Sequence, residues 1–225
     1  MNSQLTLRLI QKDWRLNTPL IILCMIVGIG ALGVLLIGGQ TPFVLGAGFF
    51  FVSMIFCASF LPISNIVNER KKQTLAFVMS LPVSPAQFGF AKLISTLGTF
   101  LILWLTLIVA ALYLILGRHV LPNGTIPIAL ILAGVPFMGF CLITGTAIVS
   151  ESEGWTIAAT AIVNSSYWIA WYLLASDAPS LTNTWTSPVA VWNRTALDIL
   201  GAEILFIILV LALTLLLQSR KHDFI

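Results

Sequence analysis

Long apolar runs separated by short polar segments dominate this chain. A helix needs about 20 apolar residues to cross the roughly 30 Å hydrocarbon core of a bilayer. Six runs are long enough, at about 19–37, 43–67, 92–116, 126–149, 155–175 and 197–217. The pattern predicts an all-α membrane protein with six transmembrane helices, in a single domain that covers residues 1–225.

The first residues follow a different pattern. On a helix, Arg8 and Arg15 fall on one strip, while Ile10 and Trp14 lie on another face. This division predicts an amphipathic helix over residues 1–17 that lies in the membrane interface. A basic segment that only anchors the first span is an equal alternative.

The segment 68–91, between the second and third predicted spans, concentrates charge and proline. Its apolar side chains form two ridges of a short predicted helix, with Leu75, Val78 and Met79 in one ridge and Phe77 and Leu81 in the other. Pro82 ends this helix, and Lys92 is expected to extend back to the interface at the start of the third span. The short helix could lie on the bilayer or dock in a groove on a cytoplasmic partner.

Composition excludes a soluble domain. Hydrophobic residues make up 59% of the chain and charged residues only 8%, against about a quarter charged in soluble domains. The net charge of +3, without a basic face, argues against nucleic acid as a partner. The three cysteines lie far apart within apolar runs and neither histidine falls in a span, so no metal site or catalytic centre is predicted.

Lysine and arginine set the predicted orientation. If the N-terminus is cytoplasmic, nine of the eleven basic residues lie on the inner side, and only Arg118 and Arg194 lie on the outer side. Both termini and the segment 68–91 are then cytoplasmic, and residues 176–196 form an outer segment.

The segment 68–91 also carries a family resemblance. Glu69–Arg70 after the second span, and Leu81-Pro82-Val83-Ser84 followed by Lys92, resemble the corresponding loop of ABC-2 type transporter permeases. The span count, the N-terminal helix, the outer segment and the basic tail resemble that family as well. The resemblance implies that Lys71–Leu81 is a coupling helix that contacts an ATPase subunit. The residues implied in this coupling are Glu69, Arg70, Lys71, Lys72, Leu75, Phe77, Val78, Met79, Leu81 and Pro82.

By this resemblance the chain is the permease subunit of an ATP-driven exporter in a bacterial inner membrane. It would form the translocation pathway with a second copy of itself or a sibling permease, together with two copies of a separate ABC ATPase. No GxxxxGK[ST] motif occurs in the chain, so the partner would bind ATP and Mg²⁺, and this chain is expected to bind no cofactor and to be no enzyme. A haem-exporter-like permease of cytochrome c maturation and a non-transport membrane scaffold are the alternatives.

Few ionisable residues fall at membrane depth, where they are functional candidates by default. Glu203 lies about two turns into the last predicted span and Asp198 lies near its mouth, so both are candidates for the pathway or an outer gate. The favoured structural alternative is that Glu203 pairs with Arg194 or an outer-loop group, or anchors a re-entrant segment. Glu151 and Glu153, in a short inner loop, either contact the ATPase or a neighbouring loop or are simply solvated.

Four uncharged polar residues in the spans are predicted to form hydrogen bonds between helices rather than to bind a ligand. They are Asn65, Thr144, Thr146 and Asn164.

Overall fold

The computed structural model describes residues 3–68, 85–177 and 183–220, and 87% of these residues are helical with no strand among them. The all-α prediction is therefore confirmed. The main helices are α1 (Ser3–Leu35), α2 (Gln40–Pro62), α3 (Pro85–Leu116), α4 (Ile126–Ser150), α5 (Glu153–Asp177) and α6 (Arg194–Ser219). A π-helical turn, Ile63–Val67, extends α2, and a 3₁₀ turn, Asn123–Thr125, leads into α4.

Five helical segments are long and apolar enough to cross a membrane. They are Ile10–Leu35, Gln40–Val67, Gly89–Leu116, Asn123–Ser150 and Arg194–Ser219. Helix α5, which contains the predicted span 155–175, does not reach the same apolar character within its described residues. Its middle carries the consecutive polar residues Asn164, Ser165 and Ser166.

Helix α1 runs without a break from Ser3 to Leu35, with Pro19 inside it. The predicted interfacial helix 1–17 and the predicted first span 19–37 are therefore parts of one continuous helix over the described residues. The chain then turns sharply through Gly38 and Gly39, which have φ angles of 75° and 93°. Glycine reaches this left-handed region without the steric strain of a Cβ atom, so α2 can begin at once.

Helix α4 lies at the centre of the bundle and packs against α2, α3, α5 and α6. Over the most apolar 18 residues of each helix, 56% of α4 is buried but only 11% of α6. A stack of aromatic rings joins α4 to α3, with the ring centroids of Phe100 and Phe140 4.2 Å apart. Large exposed apolar side chains occur instead on the surrounding helices, for example Ile26, Val109 and Ile204. This distribution is what a lipid solvent allows.

The described part of the segment 176–196 packs against the first turns of α4 and α6. The Gly124 N–H donates to the Ser187 carbonyl at 2.9 Å, and Trp185 packs against the core around Ile131. Asn193 caps α6 by accepting a hydrogen bond from the Ala196 N–H at 2.8 Å. The outer segment therefore fixes where α6 begins.

Candidate functional site: a buried polar cluster

A buried ion pair joins α1 to α3. The Lys92 Nζ lies 2.9 Å and 2.8 Å from the two carboxylate oxygens of Asp13. Their side chains are only 3% and 2% exposed. The Lys92 ammonium group is therefore paired inside the bundle and is not at its exposed surface.

A chain of amide and hydroxyl groups continues from this pair to α2 and α3. The Asn17 side-chain amide donates to the Asp13 backbone carbonyl at 2.7 Å and to the Asn65 Oδ1 atom. The Asn65 amide in turn donates to the Thr96 hydroxyl at 3.2 Å. We call this group the inner polar cluster, after its side of the membrane in the predicted orientation. Its members are Asp13, Asn17, Asn65, Lys92 and Thr96. Each of the five is at most 4% exposed.

The cluster lies at the ends of α2 and α3 between which the segment 69–84 runs. Asn65 sits in the π-helical turn Ile63–Val67, directly after Pro62. Proline has no N–H to donate to the carbonyl four residues earlier, so the α-helical bonding pattern is weakened at this point. Wider π turns of this kind are frequent at functional sites. The inner polar cluster thus holds the end of α2 and the start of α3 to the same part of α1.

The low polarity around the cluster favours a close ion pair between Lys92 and Asp13 over any arrangement that separates the two charges. Two charges taken out of water are stable only when they stay in close contact with good hydrogen-bond geometry. Lys92 contacts both oxygens of Asp13, which satisfies this condition. The Ser95 hydroxyl beside the cluster is fully buried and has no hydrogen-bond partner among the described residues. Buried polar contacts therefore join α1 and α3 to the π-helical turn that follows α2.

All ten sequence-predicted coupling residues lie outside the described part of the chain. These are Glu69, Arg70, Lys71, Lys72, Leu75, Phe77, Val78, Met79, Leu81 and Pro82. The structure neither supports nor opposes their predicted role.

Glu151 and Glu153 occupy the short connection between α4 and α5. Glu151 ends α4 in the left-handed conformation, with φ of 57°, which is uncommon for a residue with a Cβ atom. Glu153 is exposed in the first turn of α5, where a negative charge is favourable next to the helix dipole. Glu151 thus terminates α4 and Glu153 favours the start of α5. A contact of either residue with a partner remains a prediction.

Asp198 and Glu203 differ although they are five residues apart on α6. Asp198 is exposed and lies 3.7 Å from Arg194, a surface pair of small energetic weight. Glu203 is only 7% exposed and packs against Gly134 of α4, where its carboxylate fills the space of a missing Cβ atom. The favoured pairing of Glu203 with Arg194 is not found among the described residues.

The four predicted interhelical hydrogen bonders divide evenly. Asn65 bonds to α1 and α3, and the Asn164 Oδ1 accepts from the Ser59 hydroxyl of α2 at 3.2 Å. Thr146 bonds instead to the Leu142 carbonyl of its own helix, and the buried Thr144 hydroxyl has no partner within the described ranges. The prediction is therefore confirmed for the two asparagines and wrong for Thr146.

Asp13 and Asn17 were not predicted as functional residues from the sequence pattern. A signal for them exists, because Asp13, Asn17, Cys24 and Ala31 recur on one face of α1, and all four are buried. The apolar Trp14, which the amphipathic pattern favours for burial, is instead 43% exposed and touches α3 at Gly98. The packed face of α1 is the polar one at this end.

No family model, no curated protein and no solved structure matches this chain.

Proposed function

We propose that this chain is the permease subunit of an ATP-driven exporter and that a separate ATPase subunit acts on it through the segment 68–91. The inner polar cluster is the observation that carries the proposal. It ties the two ends of that segment to α1, so a force on the segment is delivered to three helices at once.

The position of α5 supports six membrane-crossing helices. Val163 and Tyr167 of α5 pack against Gly139, which lies halfway along the central helix α4. Helix α5 is 25 residues long, or about 37 Å at 1.5 Å per residue. It therefore has the length and the neighbours of a sixth span despite its polar middle. A polar run can be kept at this depth when neighbouring helices provide partners, as Ser59 does for Asn164.

In the proposed mechanism, two copies of the permease form the pathway and two ATPases bind ATP and Mg²⁺. Closure of the ATPases would draw the two 68–91 segments together. Because the inner polar cluster resists separation of α1, α2 and α3, these helices would tilt as a unit, and the membrane halves would exchange between inward- and outward-open states. The chain itself would supply motion and a pathway, while the chemistry of hydrolysis belongs to its partner.

Affinity purification from the native membrane in mild detergent tests this function. The variant Leu75→Asp/Val78→Asp/Met79→Asp removes the apolar ridge, and Gln73→Asp/Ala76→Asp/Ser80→Asp adds the same charge to the opposite face of the same predicted helix. We expect an ATP-binding subunit to copurify with the parent and with the second variant, and to be lost from the first.

Two results would contradict the proposal. Recovery of the chain without any ATP-binding subunit, even after crosslinking through 68–91, would favour the membrane scaffold. Equal recovery from all three forms would mean that the apolar ridge is not the contact.

A further inference from the structure

A pocket of about 320 Å³ lies where the inner ends of α3, α4 and α6 meet. This volume is at the lower end of the range for ligand sites, which is about 300–1,000 Å³. Its lining residues are Gly89, Phe90, Leu93, Ile148, Thr214, Leu215, Gln218 and Ser219. Phe90 and Leu215 are 46% and 41% exposed, so the pocket reaches the side of the bundle that faces lipid.

The lining combines an apolar wall with one polar corner. Leu93 and Ile148 are buried and offer only hydrocarbon, while Gln218 and Thr214 are buried polar residues. The Thr214 hydroxyl already donates to the Val210 carbonyl, whereas the buried Oε1 atom of Gln218 accepts no hydrogen bond from the described residues. Gln218 stands against Gly89, where any side chain would displace it.

None of the eight lining residues is charged. A ligand with an ionic headgroup would leave water without gaining a counter-ion from these eight residues, which is unfavourable. A hydroxyl-bearing headgroup, in contrast, can donate a hydrogen bond to the Oε1 atom of Gln218 without carrying a charge. An alkyl chain beside this headgroup would contact the apolar side chains of Leu93 and Ile148. Position, lining and lack of charge thus select one class of molecule.

We propose that this pocket binds an uncharged amphiphile, a hydroxyl-bearing headgroup on an alkyl chain, taken from the adjacent leaflet. The headgroup contacts Gln218 and the chain lies along Leu93 and Ile148. As the entry site for exported molecules the pocket rests on the proposed function, but binding itself does not depend on an ATPase.

Photocrosslinking of the purified full chain in lipid nanodiscs tests the site. The probe is a monoacylglycerol with a diazirine in its acyl chain, and the crosslinked peptides are mapped by mass spectrometry. We expect crosslinks to concentrate on Gly89–Leu93 and Thr214–Ser219, and unlabelled monoacylglycerol to compete for them. A photoreactive phosphatidylglycerol, which is anionic, should label these peptides no more than the rest of the lipid-facing surface.

Two neighbouring variants give a matched comparison. Ser219→Trp places a large ring at the rim of the pocket, whereas Leu217→Trp places the same ring on the exposed lipid-facing side of α6. Crosslinking should fall about tenfold in the first, equivalent to about 1.4 kcal/mol of binding free energy, and stay unchanged in the second. Gln218→Leu should lower labelling by monoacylglycerol while labelling by a photoreactive alkane of equal length persists.

Even labelling of all exposed helix faces, or labelling that Ser219→Trp leaves intact, would overturn the proposal and identify the pocket as occupied by bulk phospholipid. If Ser219→Trp fails to fold, competition on the parent chain still decides, because specific labelling must saturate. Specific binding without any copurified ATPase would support the site and contradict the transport function. A copurified ATPase without specific binding would support the transport function and contradict the site.

Discussion

Asp13 and Glu203 are both buried carboxylates, yet their surroundings differ. Asp13 lies in the N-terminal half of α1 and contacts the ammonium group of Lys92 through both oxygens. Glu203 lies in the N-terminal half of α6 against Gly134, and no ion-pair or hydrogen-bond partner for it occurs among the described residues. The first carboxylate joins two helices, whereas the second only occupies space between two helices. An ion pair therefore joins α1 to α3 near Asp13, whereas α6 and α4 are in van der Waals contact near Glu203.

Removal of Lys92 should have the largest effect on this contrast. Lys92→Met deprives a buried carboxylate of its cation, which typically lowers the free energy of unfolding by about 3–5 kcal/mol. The double variant Asp13→Leu/Lys92→Met should recover most of that loss, because neither charge then remains buried. Unfolding of the purified chain in detergent by a denaturant titration measures both. A double variant as unstable as the single one would show that the pair is not the source of the effect.

Gly134→Ala should have the next largest effect, because the added methyl group meets the Glu203 carboxylate directly. Overpacking of this kind costs about 1–3 kcal/mol. Gly201→Ala is the control, since it lies on α6 two residues from Glu203 and its Cβ atom would meet open space. That control should be neutral or slightly stabilising. Thermal denaturation of the three proteins compares them, and equal stability would mean that α6 shifts freely along α4.

Thr96→Val should have a smaller effect, since it removes one hydrogen bond from the Asn65 amide. Interhelical hydrogen bonds in membranes contribute about 0.6 kcal/mol on average. Thr106→Val, on the same helix, removes an exposed hydroxyl that bonds only to the Ile102 carbonyl of α3. The difference between the two variants in the denaturant midpoint isolates the contact between α2 and α3. A larger loss in Thr106→Val would contradict the cluster as a junction.

Glu203→Gln should be the least destabilising of these variants, with a stability equal to or above that of the parent, because a buried amide costs less to keep from water than an unpaired buried carboxylate. The amide has nearly the same shape, and the loss of the negative charge breaks no ion pair within the described residues. Equilibrium unfolding measures this difference. A loss of several kcal/mol would instead reveal a cationic partner for Glu203 and remove the contrast with Asp13.

The sequence pattern was sufficient for the helices and for some of their partners. Apolar runs locate the helices because a bilayer requires backbone hydrogen bonds to be satisfied within each segment. Asn65 and Asn164 were predictable as interhelical bonders for the same reason. The Asp13–Lys92 pair was not, because its members are 79 residues apart and only the packing of α1 against α3 brings them together. The pocket beside Gln218 was likewise not predictable from the sequence, because residues from the ends of three separate helices form it.

The unbroken course of α1 has a mechanical consequence. Its 33 residues extend about 50 Å, and the hydrocarbon core needs only about 30 Å of that length. α1 is therefore about 20 Å longer than a single span requires. The ion pair at Asp13 lies in the N-terminal half of α1 and holds this half to α3. In the proposed movement of α1, α2 and α3 as a unit, the whole length of α1 would therefore be carried along, and not only the part that crosses the membrane.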